Sequence, residues 1–144
     1  MEQLIAQLRT ILGTNFHLYL KTHSFHWNVE GRTFAQDHEF LGDLYQSIFD
    51  NVDIIAEKLR LLSAYAPTGM VRMLELSSIE DTDMIPEGRE MFAILLKDNE
   101  SLIYHIRAGI AAADQADQPA ISNFLQDLLD QHTKHSWMLR SLTK

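Results

Sequence analysis

Four side chains in the first 57 residues of this 144-residue chain have the types and spacing to hold a metal ion: His26, His38, Asp53 and Glu57. His26 lies in the run His23-Ser24-Phe25-His26-Trp27-Asn28, and His38 follows a break marked by Gly31. Asp53 and Glu57 are four apart, which on a helix puts both carboxylates on one face, one turn from each other. Two imidazoles and two carboxylates form a shell for a hard to borderline divalent metal such as Fe(II).

The elements that must position these residues create a difficulty. Residues 36 to 64 read as one unbroken helix with an apolar stripe of Phe40, Leu41, Leu44, Tyr45, Ile48, Phe49, Val52, Ile55, Leu59 and Leu62. His38 and Asp53 on that helix are then roughly 22 Å apart, at about 1.5 Å per residue. One chain cannot bring both to one metal while the helix stays straight. Either the residues are unrelated or a second copy of the chain completes the site. A two-fold axis pairing this helix antiparallel with its mate brings His26 and His38 of one subunit to Asp53 and Glu57 of the other, twice per dimer.

The other elements suit that use. Leu4, Ile5, Leu8, Ile11, Leu12, Tyr19 and Leu20 predict a first helix from about 3 to 28. Pro67, Gly69 and Pro86 bracket a connection in which Val71, Leu74 and Leu76 mark a short extra helix. A connection of this length suits a crossover between parallel neighbours rather than a tight turn. Pro86 is placed as the first residue of a third helix reaching about Ala113. Residues 114–118 form a polar break, and Pro119 opens a fourth helix through Phe124, Leu128 and Trp137. The fold expected is all-α: one ferritin-like domain over residues 1–144, a four-helix bundle with a crossover carrying a short extra helix.

The motif His23-x-x-His26-Trp27-x-x-x-Gly31-x-x-Phe34-x-x-x-His38-Glu39, followed by Asp53-x-x-Ala56-Glu57-Lys58, resembles the signature of the Dps family, the mini-ferritins named as DNA-binding proteins from starved cells. His132-x-Lys134-x-x-Trp137-Met138-Leu139-Arg140 is similar to that family's last helix, and the likeness covers nearly the whole chain. The resemblance implies a ferroxidase: His26 and His38 of one subunit and Asp53 and Glu57 of its two-fold neighbour binding iron, with a di-iron site, in a homo-dodecamer built from two-fold dimers. Fe(II) would be oxidised by hydrogen peroxide or dioxygen and stored as Fe(III) oxide in the hollow shell. It also implies iron entry through three-fold pores lined by acids near Asp114, Asp117, Asp127 and Asp130, set against an ordinary solvated turn for the same residues. Trp27 would absorb a stray oxidising equivalent, and His23 would orient a ligand from behind.

Two positions depart from the family pattern. Lys58 stands where arginine is more usual, which keeps the charge and loses a bidentate fork. Gly42 stands one turn after His38, where many members carry a carboxylate, leaving Asp43, Glu39 and, less so, Asp37 as substitutes for a second metal. The remaining histidines take plainer readings. His132 and His135 read as a structural or interface pair, and His17 and His105 have no motif around them.

Composition narrows the alternatives. The net charge of −8 argues against direct DNA binding, which needs clustered Lys and Arg. No run approaches the roughly 18 apolar residues of a membrane span. The start Met1-Glu2-Gln3 lacks the basic stretch of a signal peptide. The absence of cysteine excludes disulfides, a thiol nucleophile and an iron–sulfur cluster. A cytoplasmic location is expected. There is no Glu-x-x-His pair, so the within-bundle di-iron site of larger ferritins is not encoded. The rival readings are a DNA-compacting protein and a structural oligomer stabilised by zinc, which accepts the same ligands without redox chemistry.

Overall fold

The computed structural model describes residues 1–144 and contains five α-helices and no strand: α1 (Glu2–Asn28), α2 (Phe34–Leu61), α3 (Met70–Leu76), α4 (Gly88–Gln115) and α5 (Pro119–Leu142). Side-chain bridges give the relative directions. Asn15 reaches the Ile48 carbonyl and His26 the His38 carbonyl, so α1 and α2 are antiparallel. Gln7 pairs with His105 and Lys21 with Asp98, so α4 is also antiparallel to α1. α2 and α4 therefore run parallel, and the segment between them is the crossover that its length predicted. Asn99 bonded to His132 and Ser136, with Arg89 reaching the Leu142 carbonyl, sets α5 antiparallel to α4.

Leu8, Ile11, Leu12 and Leu18 of α1, Leu41, Ile48, Ile55 and Leu59 of α2, Leu95, Leu102 and Ile106 of α4, and Leu125 and Leu128 of α5 share one buried cluster. Burying a side chain of this size contributes roughly 1.5–3 kcal/mol. Short α3 packs across α1, and Gly13 allows it: a Cβ at Gly13 would lie 2.7 Å from the Leu76 Cβ and 2.8 Å from the Met73 carbonyl oxygen.

Four helix ends differ from the sequence-based expectation: α2 begins at Phe34 rather than 36, α4 runs on to Gln115 rather than Ala113, and the other two have local causes. α2 stops at Leu61, because Ser63 takes a left-handed conformation (φ 62°) while the Ala64 N–H bonds back to the Leu59 carbonyl and the Ser63 N–H to that of Arg60. That is the Schellman closure of a helix C-terminus. α4 starts at Gly88, not Pro86. Glu87 is still extended (ψ 156°), and the first turn closes from the Met91 N–H onto the Glu87 carbonyl. Pro119, by contrast, does open α5.

The bundle centre is not wholly apolar. Asn15, Asn99, His132, His135 and Ser136 are all buried, and Lys21 donates to both Asp98 and the Glu80 carbonyl at 2.7 Å each. The latter contact ties the crossover down onto α1.

Candidate metal centre

His26 lies in the last turn of α1 and His38 in the first turns of α2, so the α1–α2 turn folds them together. Their rings stack with centroids 3.8 Å apart and planes within 16°. The Nδ1 of His26 is 2.7 Å from the His38 carbonyl oxygen, and the Nδ1 of His38 is 2.8 Å from the His26 carbonyl oxygen. A carbonyl can only accept, so both Nδ1 atoms carry the proton. Each Nε2 is left with a lone pair, the form in which imidazole binds a metal. Phe34 stacks on His38 with centroids 5.0 Å apart, and Tyr45 leans against His26 at 5.3 Å. The result is a reciprocal lock. Each histidine orients the other through the backbone, the role a carboxylate or carbonyl behind a metal-binding histidine ordinarily plays.

Asp53 and Glu57 are exposed, one turn apart on unbroken α2. The Glu57 carboxyl is held above its ordinary value, first by a hydrogen bond shared with Asp53 and then by repulsion from the Asp53 charge. Two carboxylates near enough to share a proton repel when both are ionised, and a divalent cation relieves that repulsion. Lys58 offsets it only in part, and without an ion pair: Lys58 lies over the Phe124 ring at 5.1 Å, and Arg60 over Tyr65 at 4.7 Å.

The histidine pair and the carboxylate pair are each assembled, but not with each other. Within one chain no three His, Asp or Glu side chains converge on a metal position. The candidates near Gly42 separate too. Asp37 accepts a hydrogen bond from the Thr33 hydroxyl at 2.7 Å and so serves the start of α2. Asp43 lines a shallow polar hollow with Gln46, Asp50 and Gln131, and Glu39 is exposed. A Cβ at Gly42 would meet His26 Cε1 at 3.0 Å and Nδ1 at 3.3 Å.

His23 makes no hydrogen bond to His26 or His38. Its Nδ1 pairs with the Tyr19 hydroxyl at 3.0 Å, and its ring stacks on Tyr45 at 3.7 Å. Burial, and then the neighbouring His26, hold its pKa below the usual histidine value. His132 and His135 are core residues. The first bonds Asn99 Oδ1 through Nδ1 at 2.7 Å, and the second meets the Ser47 hydroxyl at 3.3 Å. His17 bonds Ser77 and His105 bonds Gln7. Asp114, Asp117, Asp127 and Asp130 are exposed around the α4–α5 turn. Tyr45 is legible in the sequence as a member of the apolar stripe of α2, but not as a neighbour of the histidines, for which the one signal is the interval of seven after His38, two helical turns along the same face.

Exposed apolar side chains lie beside the histidines, Trp27 and Phe34, and further along the chain, Phe49, Ile54 and Leu61 on α2 and Met70, Val71 and Leu74 on α3. No helix is long and apolar enough to cross a membrane.

The ferritin-like domain family matches residues 5–144. The DNA protection during starvation protein 2 of Bacillus anthracis is 31% identical over 140 residues, 97% of this chain and 96% of that protein. The crystal structure of a Dps protein from Bacillus brevis superimposes with a TM-score of 0.94 at 26% identity, covering 99% of this chain and 96% of that one. A Dps protein from Vibrio cholerae O1, described as a member of a broad superfamily of ferritin-like diiron-carboxylate proteins, gives 0.93 at 25% identity over 99% and 90% of the two chains. These matches span the locked histidines, the carboxylate pair and the crossover alike, and the chain belongs to the Dps family of ferritin-like proteins.

Proposed function

We propose that this protein is a ferroxidase mini-ferritin whose iron sites form between two-fold-related subunits. The observation that carries the reading is the split site. Two Nε2 lone pairs stand at one end of α2 with no ligand partner from their own chain, and two mutually repelling carboxylates stand roughly 22 Å along the same helix, at about 1.5 Å per residue. An antiparallel partner completes both halves at once and covers the apolar side chains around them.

Fe(II) is the substrate. Imidazole nitrogens and carboxylates bind it while leaving positions open for an oxidant. Two Fe(II) give two electrons to one hydrogen peroxide, which takes up two protons and becomes two waters, and Fe(III) passes on to storage in a closed shell. Dioxygen is the alternative oxidant. The chain's own contribution is positional. The carbonyl lock fixes the Nδ1–H of both imidazoles and turns both Nε2 atoms to the metal position before iron arrives. A relative named for DNA protection fits this chemistry. With a net charge of −8, protection by consuming Fe(II) and peroxide suits this chain better than coating DNA.

The test is anaerobic Fe(II) loading followed by a peroxide pulse, read by ultraviolet absorbance, for wild type and for His26→Ala and Asp53→Ala. Each single variant is expected to lose fast oxidation. Co-assembling the two variants should restore about a quarter of the wild-type sites, because half of randomly paired dimers then carry one intact site of two. Full activity in either single variant, or no recovery on mixing, would refute the intersubunit centre. Slow, equal oxidation throughout would favour a zinc-stabilised scaffold.

A further inference from the structure

We propose that Tyr19 and Tyr45 form a one-electron relay to the metal centre, with Tyr19, hydrogen-bonded to His23, as the terminal donor. The inference rests on the reading of His26 as an iron ligand. Its basis is a continuous set of ring contacts running away from that residue. Tyr45 lies 5.3 Å from His26, centroid to centroid, and Tyr19 lies 6.1 Å from Tyr45. His23 is stacked on Tyr45 at 3.7 Å with planes 8° apart, and its Nδ1 is 3.0 Å from the Tyr19 hydroxyl. Tyr19 is further enclosed by Phe49 at 4.8 Å and Phe16 at 5.9 Å.

An oxidised tyrosine must shed its phenolic proton, so the tyrosine able to hold the oxidising equivalent is one already bonded to a base. Tyr19 meets that condition. With His23 protonated on Nε2, the Tyr19 O–H donates to the bare Nδ1 and has a place to send its proton. Trp27 also touches His23, at 4.3 Å, but its ring N–H makes no hydrogen bond within the chain and so has no base to take its proton. Tyr19 and Tyr45 are half-buried, among aromatic rings that shield a radical from solvent.

Gly42 gives this chain a particular use for such a donor. It places no ligand one turn after His38, and the space a side chain would need is filled by the His26 ring. A second iron therefore has fewer protein ligands than the first, and sites holding a single Fe(II) become a substantial population. One Fe(II) supplies one electron, but reducing peroxide to water takes two. With iron alone the other product is hydroxyl radical. With the relay, one Fe(II) and the Tyr19 phenol supply one electron each. Peroxide takes both with two solvent protons and becomes two waters. Fe(III), a neutral tyrosyl radical and the phenol's proton on His23 Nδ1 remain. A further Fe(II) reaching the site then returns Tyr19 to its phenol by giving one electron, becoming Fe(III), as the proton returns from His23.

The experiment uses the assembled protein loaded anaerobically with one Fe(II) per site, then mixed with one equivalent of hydrogen peroxide and freeze-quenched for electron paramagnetic resonance. A parallel sample carries a hydroxyl-radical spin trap. Wild type is expected to show a tyrosyl radical and little trapped adduct. Tyr19→Phe is expected to lose that signal while the adduct rises several-fold, and Tyr45→Phe to form the radical more slowly. Wild type loaded with a large excess of Fe(II), which fills the weaker second position, should show less of the radical. Iron oxidation with no tyrosyl radical, or an identical radical in Tyr19→Phe, overturns the relay and leaves the ferroxidase reading intact. If wild type neither binds nor oxidises iron, that reading fails and the relay falls with it. Flash photo-oxidation by a ruthenium tris-bipyridyl sensitiser tests the tyrosine without iron. A long-lived tyrosyl radical lost in Tyr19→Phe supports the assignment, and an unchanged lifetime in that variant overturns it.

Discussion

Gly42 and His26 compete for one small volume. A methyl at position 42 stands 3.0 Å from His26 Cε1, so Gly42→Ala must push the imidazole by a few tenths of an ångström, against a ring held from the other side by the His38 carbonyl and the stacked His38 ring. Gly42→Ala is therefore expected to cost about 1 kcal/mol or less in stability, since the ring edge can give. Its Fe(II) affinity should fall by about tenfold, the scale of a disturbed orienting contact behind a ligand. Anaerobic titration calorimetry beside a denaturation curve checks both, and undiminished affinity would mean the lock does not orient the ligand. Some of this was legible beforehand. The two histidines and the carboxylate pair stand out by spacing, and their separation along one helix already posed the question of a second subunit. The lock itself was not legible. It depends on the register between α1 and α2, which brings two carbonyls to two rings twelve residues apart. The position of Tyr45 against His26 and His23 depends on the same register.

At the scale of elements, apolar periodicity gave the four long helices, and the length of the connection gave the crossover. The ends were less legible, because a left-handed Ser63 and an extended Glu87 are set by local hydrogen bonds that composition does not announce. Nor did the sequence announce that Lys21 and Asp98, 77 positions apart, form a buried ion pair at 2.7 Å that also holds the Glu80 carbonyl. Both side chains are under 10% exposed. Removing one partner strands a buried charge, so Asp98→Leu alone is expected to destabilise the chain by about 3–5 kcal/mol. The double variant Lys21→Met/Asp98→Leu removes both charges and should recover most of that loss. It would forfeit the Lys21–Glu80 contact that pins the crossover. Urea denaturation at fixed protein concentration measures the stability change, and hydrogen exchange over residues 77–87 measures the crossover. A double variant no better than the single would show that the pair's role is anchoring rather than charge balance.

The core histidines act on the whole molecule through protonation. Burial, and then the nearby His135, depress His132 to about 3. Burial, and then Lys134, depress His135 to about 4. Their unfolded value is 6.5. Both are therefore neutral when folded near neutrality, and the unfolded chain binds their protons first as the pH falls. The contribution of each is complete above pH 6.5 and is lost as the pH drops from 6.5 toward the folded values. The slope approaches about 1.4 kcal/mol per pH unit for each histidine. Urea midpoints measured from pH 7.5 to 4.5 should fall accordingly, and His132→Gln/His135→Gln, though less stable at neutral pH, should show a flatter profile. An equally steep profile in that variant would assign the acid lability to other groups.

Assembly is the remaining property on which the functional reading depends, and the surface states its own demand. Ile54 and Leu61 are 41% and 71% exposed on α2, flanking Asp53 and Glu57, while Trp27 and Phe34 are 59% and 45% exposed beside the histidines. Large apolar side chains gathered around both ligand pairs fit a surface that the proposed two-fold partner covers. An acid at such a position keeps its helix and removes the partner, because it faces away from the core cluster to which Ile55 and Leu59 belong. Ile54→Glu/Leu61→Glu is therefore expected to retain helical circular dichroism and run as a smaller species in sedimentation, with fast iron oxidation lost although all four proposed ligands remain. Because the added charges also sit near the carboxylate pair, the decisive comparison is dilution of the wild type. If two subunits build each centre, activity per chain should fall over the same concentration range in which the assembly dissociates. Activity that persists in dissociated chains would place the iron chemistry within one subunit, and the divided ligand set would need another explanation.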